Sequence, residues 1–228
     1  QPMSSVNRAT ISKSLSVSFA VGSYGTAFGA AAVAAGFSVW QACLLSLLTF
    51  TGASQFAVIG VLGAGGTAIT GIATASLLGM RNAIYSMIMK PILNLSGGKK
   101  LIATQITIDE SVAVSTAEEV RGAAAMRHGF WLTGGGVYLF WNLFTFLGAL
   151  GAEAIGDPSV WGLDAAVPAA FLALVWPRLK SKDDYVLAIS AAVLAIALTP
   201  IIAAGLPIIA TALLAVAFAR LKAGSINE

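Results

Sequence analysis

The sequence predicts an all-α polytopic membrane protein with about seven transmembrane helices, some of them interrupted. Three observations carry this reading. Only 10% of the 228 residues are charged while 57% are hydrophobic, and the mean hydropathy is +0.86. Soluble domains carry about 25% charged residues, so this chain has too few to cover a water-exposed surface. From Ser14 to Met80, 67 residues pass without one Asp, Glu, Lys, Arg or His. Lipid is the solvent in which such an apolar exterior is stable.

One helical span needs about 20 residues, so the uncharged run holds three crossings joined by short turns. Residues 1–13 form an N-terminal tail carrying Arg8 and Lys13. The first span covers 14–35. Its Gly22, Thr26, Ala30 and Ala34 fall four apart, as do Gly25 and Gly29, a spacing that lets helix backbones approach closely. Ala35-Gly36-Phe37-Ser38 makes the first turn. The second span covers 39–62, and Gly63-Ala64-Gly65-Gly66 leads to the third at 67–89. No cleavable signal explains this start, since the apolar character runs far beyond a single h-region.

Residues 99–127 behave differently, mixing Ile106, Ile108, Val112 and Val114 with Asp109, Glu110, Glu118, Glu119 and Arg121. They read as an amphipathic or re-entrant segment, or as an eighth span wholly enclosed by its neighbours. Further spans are expected at 128–152, 161–177, 183–201 and 205–221. The whole of 1–228 is then a single integral membrane domain.

Basic residues cluster at segment ends: Lys90, Lys99 and Lys100; Arg121 and Arg127; Arg178, Lys180 and Lys182; Arg220 and Lys222. Placing all four clusters in the cytoplasm requires 99–127 not to cross, which gives seven spans. The same clustering explains the pI near 9.2 without nucleic acid, which would need a continuous basic face. An inverted repeat of spans one to three and four to six is compatible with the odd count, although no residue-level match links the halves.

Two places inside the apolar segments are polar without obvious need. The first is Gly52-Ala53-Ser54-Gln55, ahead of Phe56. Transporter sites form where a membrane helix is interrupted and its backbone groups face a cavity. The second is Arg81-Asn82, followed by Tyr85 one helical turn on. Counting 1.5 Å per residue from Thr67 puts Arg81 about 21 Å along its helix, well inside a core of about 30 Å. A guanidinium there either snorkels to the interface or faces a polar interior, where it is shaped to grip a carboxylate by two parallel hydrogen bonds. Its protein partner is expected among Asp109, Glu110 and Asp164, which are also candidates for carrying a proton. An interfacial position for the first two and an N-cap role for Asp164 are the plainer alternatives. His128 reads as interfacial.

Catalysis is not indicated: the chain has no HExxH, GxSxG or Walker loop and no Cys/His ligand set. No metal and no cofactor are therefore expected. The single Cys43 reads as a small buried hydrophobe. A channel would show charge rings or repeated carbonyl loops, and neither is visible. An accessory membrane subunit for a different small solute stays open.

GASQF at 52–56, the Arg-x-x-x-Tyr of MRNAIY, the acidic pair in TIDESVAV and LDAAVPAAF at 163–171 occur in that order. Together they resemble the AzlC-type family, the large subunit of bacterial branched-chain amino acid exporters, over about residues 14–222. The resemblance implies export of leucine, isoleucine and valine, sometimes methionine, across the bacterial inner membrane by use of the ion gradient. It also implies a small AzlD-type membrane subunit as partner. The family commonly has Arg-His where this chain has Arg81-Asn82. The expected site places the substrate carboxylate on Arg81, assisted by Tyr85 and Asn82. Its ammonium group falls to Gln55 and neighbouring carbonyls, and its aliphatic part to Phe56.

Overall fold

The structure is a computed structural model and describes residues 7–156 and 165–226. Every regular element among them is helical. α1 (Asn7–Gly22) and α2 (Gly25–Ala34) form one rod bent at Ser23, where the Ser23 hydroxyl donates to the Ala20 carbonyl at 2.8 Å. A Gly-Ser pair is a common cause of such a bend. α8 (Ala123–Ile155) is the second long rod. By length and apolar composition, Arg8–Ala34 and Ala123–Ile155 are each long enough to cross a bilayer.

The two rods lie side by side and point the same way. Gly22 meets Phe140 and Trp141, Gly25 meets Trp141 and Thr145, and Gly29 meets Thr145 and Ala149. A Cβ on Gly29 would sit 2.1 Å from the Thr145 carbonyl oxygen, and one on Gly25 2.4 Å from that of Trp141. The four-residue spacing of small side chains thus serves backbone-to-backbone packing.

Between the rods, the chain makes two hairpins of short helices. α3 (Val39–Leu48) starts at a capping box in which Ser38 accepts from the Gln41 backbone and the Gln41 side chain accepts from the Ser38 backbone. It stops at Thr49, and α4 (Gly52–Gly63) turns back. A straight continuation would carry Gly63 about 37 Å from Ser38 at 1.5 Å per residue. Instead a Cβ on Gly63 would lie 3.0 Å from that of Ala35, where α3 set out. Residues 39–62, expected as one crossing, are therefore a hairpin entered and left from the same end. Hydropathy reads the same for an apolar hairpin and an apolar span, which is why the sequence did not separate them, and the expected count of seven crossings loses its support.

α5 (Ala68–Leu93) runs antiparallel to α4, tied by the Ser54 hydroxyl donating to the Ala75 carbonyl at 2.8 Å. It outlasts the expected 67–89 and ends at Asn94, a left-handed cap with φ 46°. α6 (Gly98–Gln105) starts beside that end, where Met89, Leu93 and Ala103 share a core. α7 (Asp109–Ala117) returns toward the first residues of α8, as Ser115 bonding to the Met126 carbonyl shows. So residues 98–117 form a second hairpin, opposed to the first. Their tips touch: the Gln105 side chain donates to the carbonyls of Leu47 at 2.9 Å and Leu48 at 3.3 Å.

α9 (Ala166–Val175) leads through a short 3-10 turn at Trp176–Arg178 into α10 (Lys182–Leu198) and α11 (Leu206–Ile226). The last two pack on each other, and α11 packs also on α5. Gly205, with φ +91°, docks the α10–α11 turn against Thr70 and Val61, leaving no room for a side chain.

Candidate functional site

Each hairpin tip is a stretch of chain whose helical hydrogen bonds are broken, so the carbonyls ending the first helix and the N–H groups opening the second need other partners. In the first tip Gln55 supplies them. Its side-chain N–H groups donate to the Ser46 and Thr49 carbonyls at 3.2 and 3.3 Å, and its oxygen accepts from the Trp141 indole at 2.9 Å. In the second tip Ser111 does the equivalent work. It bonds to the Ile106 carbonyl at 2.9 Å and accepts from the Ile108 N–H at 3.0 Å, while Thr107 covers the Ala103 carbonyl. These side-chain bonds hold both tips open.

A cavity of about 230 Å³ lies where the tips meet α5, α8 and the bend of the first rod. Phe50, Thr51, Gly52 and Ala53 enter it from the first tip, and Ile108, Asp109 and Glu110 from the second. Arg81, Asn82 and Leu78 come from α5; Val21, Tyr24, Val137 and Trp141 complete an apolar wall. Gly52 sits on the Trp141 ring, and a Cβ there would be 3.1 Å from it.

Charge is confined to one side of this space. The Asp109 Oδ2 accepts from Arg81 Nη1 and from Arg178 Nη2, each at 2.7 Å. Tyr85 stands close enough to interact electrostatically with the same carboxylate. Asp109 and Glu110 also open α7, where the helix N-terminus favours negative charge. Three polar atoms at the site are buried with no partner: Arg81 Nε, Asp109 Oδ1 and the Thr51 hydroxyl. Arg81 therefore does not reach for the bilayer edge; it is ion-paired inside the molecule.

The expected site residues divide clearly. Gly52, Ala53, Arg81, Asn82, Asp109 and Glu110 line one cavity. Ser54, Gln55 and Phe56 do not. Ser54 bonds α5, Gln55 is spent on the tip, and Phe56 packs edge-on against Phe28 in the core. The interruption lies at Thr49–Thr51, just before the motif, whose residues are the first turn of α4. Gln55 is fully buried, tied to the tip and to Trp141, and does not line the cavity where an ammonium group would sit. Asp164 falls outside the described residues.

Arg178, which the sequence places with Lys180 and Lys182 in a basic cluster at a segment end, also turns its guanidinium onto Asp109. Its position directly after Trp176-Pro177, where the helix must turn, was the available signal. Thr51 and Trp141 had none beyond nearness to a glycine or an aromatic run.

The sequence profile of the AzlC protein family matches residues 16–155. The chain belongs to the AzlC family. A relative from Archaeoglobus fulgidus (strain ATCC 49558 / DSM 4304 / JCM 9628 / NBRC 100126 / VC-16), named only as an uncharacterized membrane protein, is 35% identical over 159 residues, 68% of each chain. No solved structure matches. The AzlC family is linked to amino-acid transport across membranes and is not an enzyme family. In this AzlC protein the matched segment ends with α8 and so holds both hairpin tips, Arg81 and Asp109. Arg178 lies beyond it.

Proposed function

We propose that this AzlC protein is the large subunit of a secondary transporter that exports leucine, isoleucine and valine, and also methionine. It works in the plasma membrane, draws on the ion gradient, and acts together with a small AzlD-type membrane subunit. The observation that carries this reading is an unfilled donor beside an unfilled acceptor. Arg81 Nε and Asp109 Oδ1 are both buried and both unpartnered, and their residues line a cavity whose remaining wall is mostly apolar. An α-amino acid presents the matching set: a carboxylate, an ammonium group and an aliphatic chain.

The carboxylate docks on Arg81 Nε–H, with Thr51 and Asn82 in reach of its second oxygen and Tyr85 at the edge. The ammonium group donates to Asp109 Oδ1. The aliphatic chain lies against Val21, Ile108, Val137 and Trp141. Gly52 and Ala53 leave the space that larger residues would fill. About 230 Å³ is below the roughly 300–1,000 Å³ of drug-sized sites, which favours a solute of amino-acid size. A carboxylate arriving here competes with Asp109 for two guanidiniums. Occupancy then loosens the link from α7 to α5 and to the α9–α10 turn, and protonation of Asp109 or Glu110 acts on the same link. Differential affinity of that kind is what couples a ligand to a change of state.

Calorimetry of the purified full chain with leucine, isoleucine, valine, methionine, lysine and glutamate tests the reading. Saturable binding of the aliphatic four, lost in Arg81→Ala and weakened in Arg81→Lys, is expected. Equal binding by Arg81→Ala and the parent chain would falsify the assignment. Accumulation of labelled leucine in cells with and without the small subunit tests the partnership.

A further inference from the structure

Outside the cavity, α1 and α7 both carry rows of buried hydroxyls, some of them turned onto α8. Thr10, Ser14 and Ser18 recur every fourth residue on α1; Ser111 and Ser115 follow at i and i+4 on α7, and Glu118, at i+7, is its C-cap. Both spacings place the set on one helix face. All six are buried, Glu118 included at 5% exposure. α1 runs alongside α8 and α7 runs against it, so α1 and α7 are antiparallel. At one end the Thr10 hydroxyl donates to Glu118 Oε2 at 3.0 Å. At the other, Ser18 is one helical turn from Val21 and Ser111 is next to Glu110, both of which line the cavity.

Small polar side chains often serve only as glue between membrane helices. Some do so here: Ser18 donates to the Thr133 carbonyl and Ser115 to that of Met126. That role does not account for Ser14 Oγ and, on α8, Thr133 Oγ1. Both are fully buried and unpartnered, and buried hydroxyls in that state mark places for ordered water.

We infer that this seam is a hydrated proton path between Glu118 and the Asp109–Glu110 pair. It rests on the transport reading and supplies the route by which a proton gradient reaches the site. A proton bound at Glu118 passes along hydroxyls and waters, each giving one proton forward as it takes one from behind, and is delivered to a carboxylate in the cavity. The groups facing Glu118 are Thr10 and, at 3.0 Å, Arg121 on the adjoining 3-10 turn. From α8 Gly129 approaches it, while Arg127 turns to the Ile92 carbonyl and His128 to that of Ala124. Arg8 and Lys13 on α1 are exposed.

The test uses the full chain in liposomes. Ser14→Cys and Ser18→Cys, in a Cys43→Ser background, are treated with 2-aminoethyl methanethiosulfonate, with Leu15→Cys as the lipid-facing control. Reaction at position 14 or 18 and none at 15 is expected; inert cysteines at both seam positions overturn the path. Glu118→Gln is then compared with the parent for leucine-driven proton movement and for leucine–leucine exchange. Proton movement should fall about ten-fold or more, as for an intramembrane relay carboxylate, while exchange stays within about two-fold. Equal loss of both overturns the path in favour of a purely structural Glu118. A parent chain that exchanges no leucine while its seam cysteines react overturns the transport reading instead.

Discussion

Gln105 on α6 donates its side-chain amide to the Leu47 carbonyl on α3 across 2.9 Å, joining the tips of two hairpins that arrive from opposite ends. The same carbonyl accepts from the Tyr138 hydroxyl at 3.1 Å. Gln105→Ala and Tyr138→Phe should each cost about 1 kcal/mol, the net worth of one ordinary hydrogen bond. Because the two donors share an acceptor, the double variant should depart from the sum by roughly 0.5 kcal/mol or more. Denaturant unfolding in detergent measures the cycle, and strict additivity would show that the tips are not a single joint.

Gln55→Leu is expected to be the harsher change. It keeps the volume but strands the buried Ser46 carbonyl and Trp141 N–H and removes the donor to the Thr49 carbonyl. A buried group left unpaired costs about 1–3 kcal/mol, so the loss should exceed that of either change at the tip contact. A thermal melt of Gln55→Leu within a degree or two of the parent would mean that the tip is wet.

Two glycines of similar sequence context should answer oppositely to alanine. Gly29→Ala forces a Cβ to 2.1 Å from the Thr145 oxygen, whereas at Gly151 nothing lies within 4 Å. The first should part the rods and cost upward of about 2 kcal/mol, within the range of overpacking in a close-packed interior. The second should be neutral or stabilising by up to about 1 kcal/mol through helix propensity. Melting temperatures of the two variants side by side decide it.

The two arginines on Asp109 are not equivalent. Arg81 is 31% exposed and Arg178 58%, so solvent weakens the second pair more. Arg178→Gln should raise the leucine Kd only a few-fold, about 0.5–1 kcal/mol. Arg81→Lys loses the fork and should raise it by ten-fold or more, about 1.4 kcal/mol. Asp109→Asn leaves two guanidiniums facing each other without their counter-charge and should abolish binding of the ammonium group. Titration calorimetry ranks the three, and an Arg178 effect larger than that of Arg81 would reverse their roles.

Much of this was legible in the residues, for identifiable reasons. A charge in an apolar run is expensive, so Arg81 announced a polar interior, and Asp109 followed as a partner because few acids were on offer. Gly25 and Gly29 announced helix contact because small size admits few other uses. Direction was not legible: α3–α4 and a single span have the same hydropathy, and only the Gly63–Ala35 contact distinguishes them. Gln55 misled because an amide among apolar residues fits a ligand and a broken backbone equally well. Arg178 was hidden by company, since three basic residues near a segment end look interfacial even when one turns inward.

The parallel course of the two long rods has a consequence for how the protein is made. Ala35 to Gly122 achieves only one net return, through α5, while four short helices go in and come back out. An arm of about 12–18 Å reaches roughly half the depth of a core of about 30 Å, so lipid alone has no stable seat for it. The hairpins must wait for α8, which leaves the ribosome after both of them, and until then their open tips are the part of the nascent chain that most needs shelter.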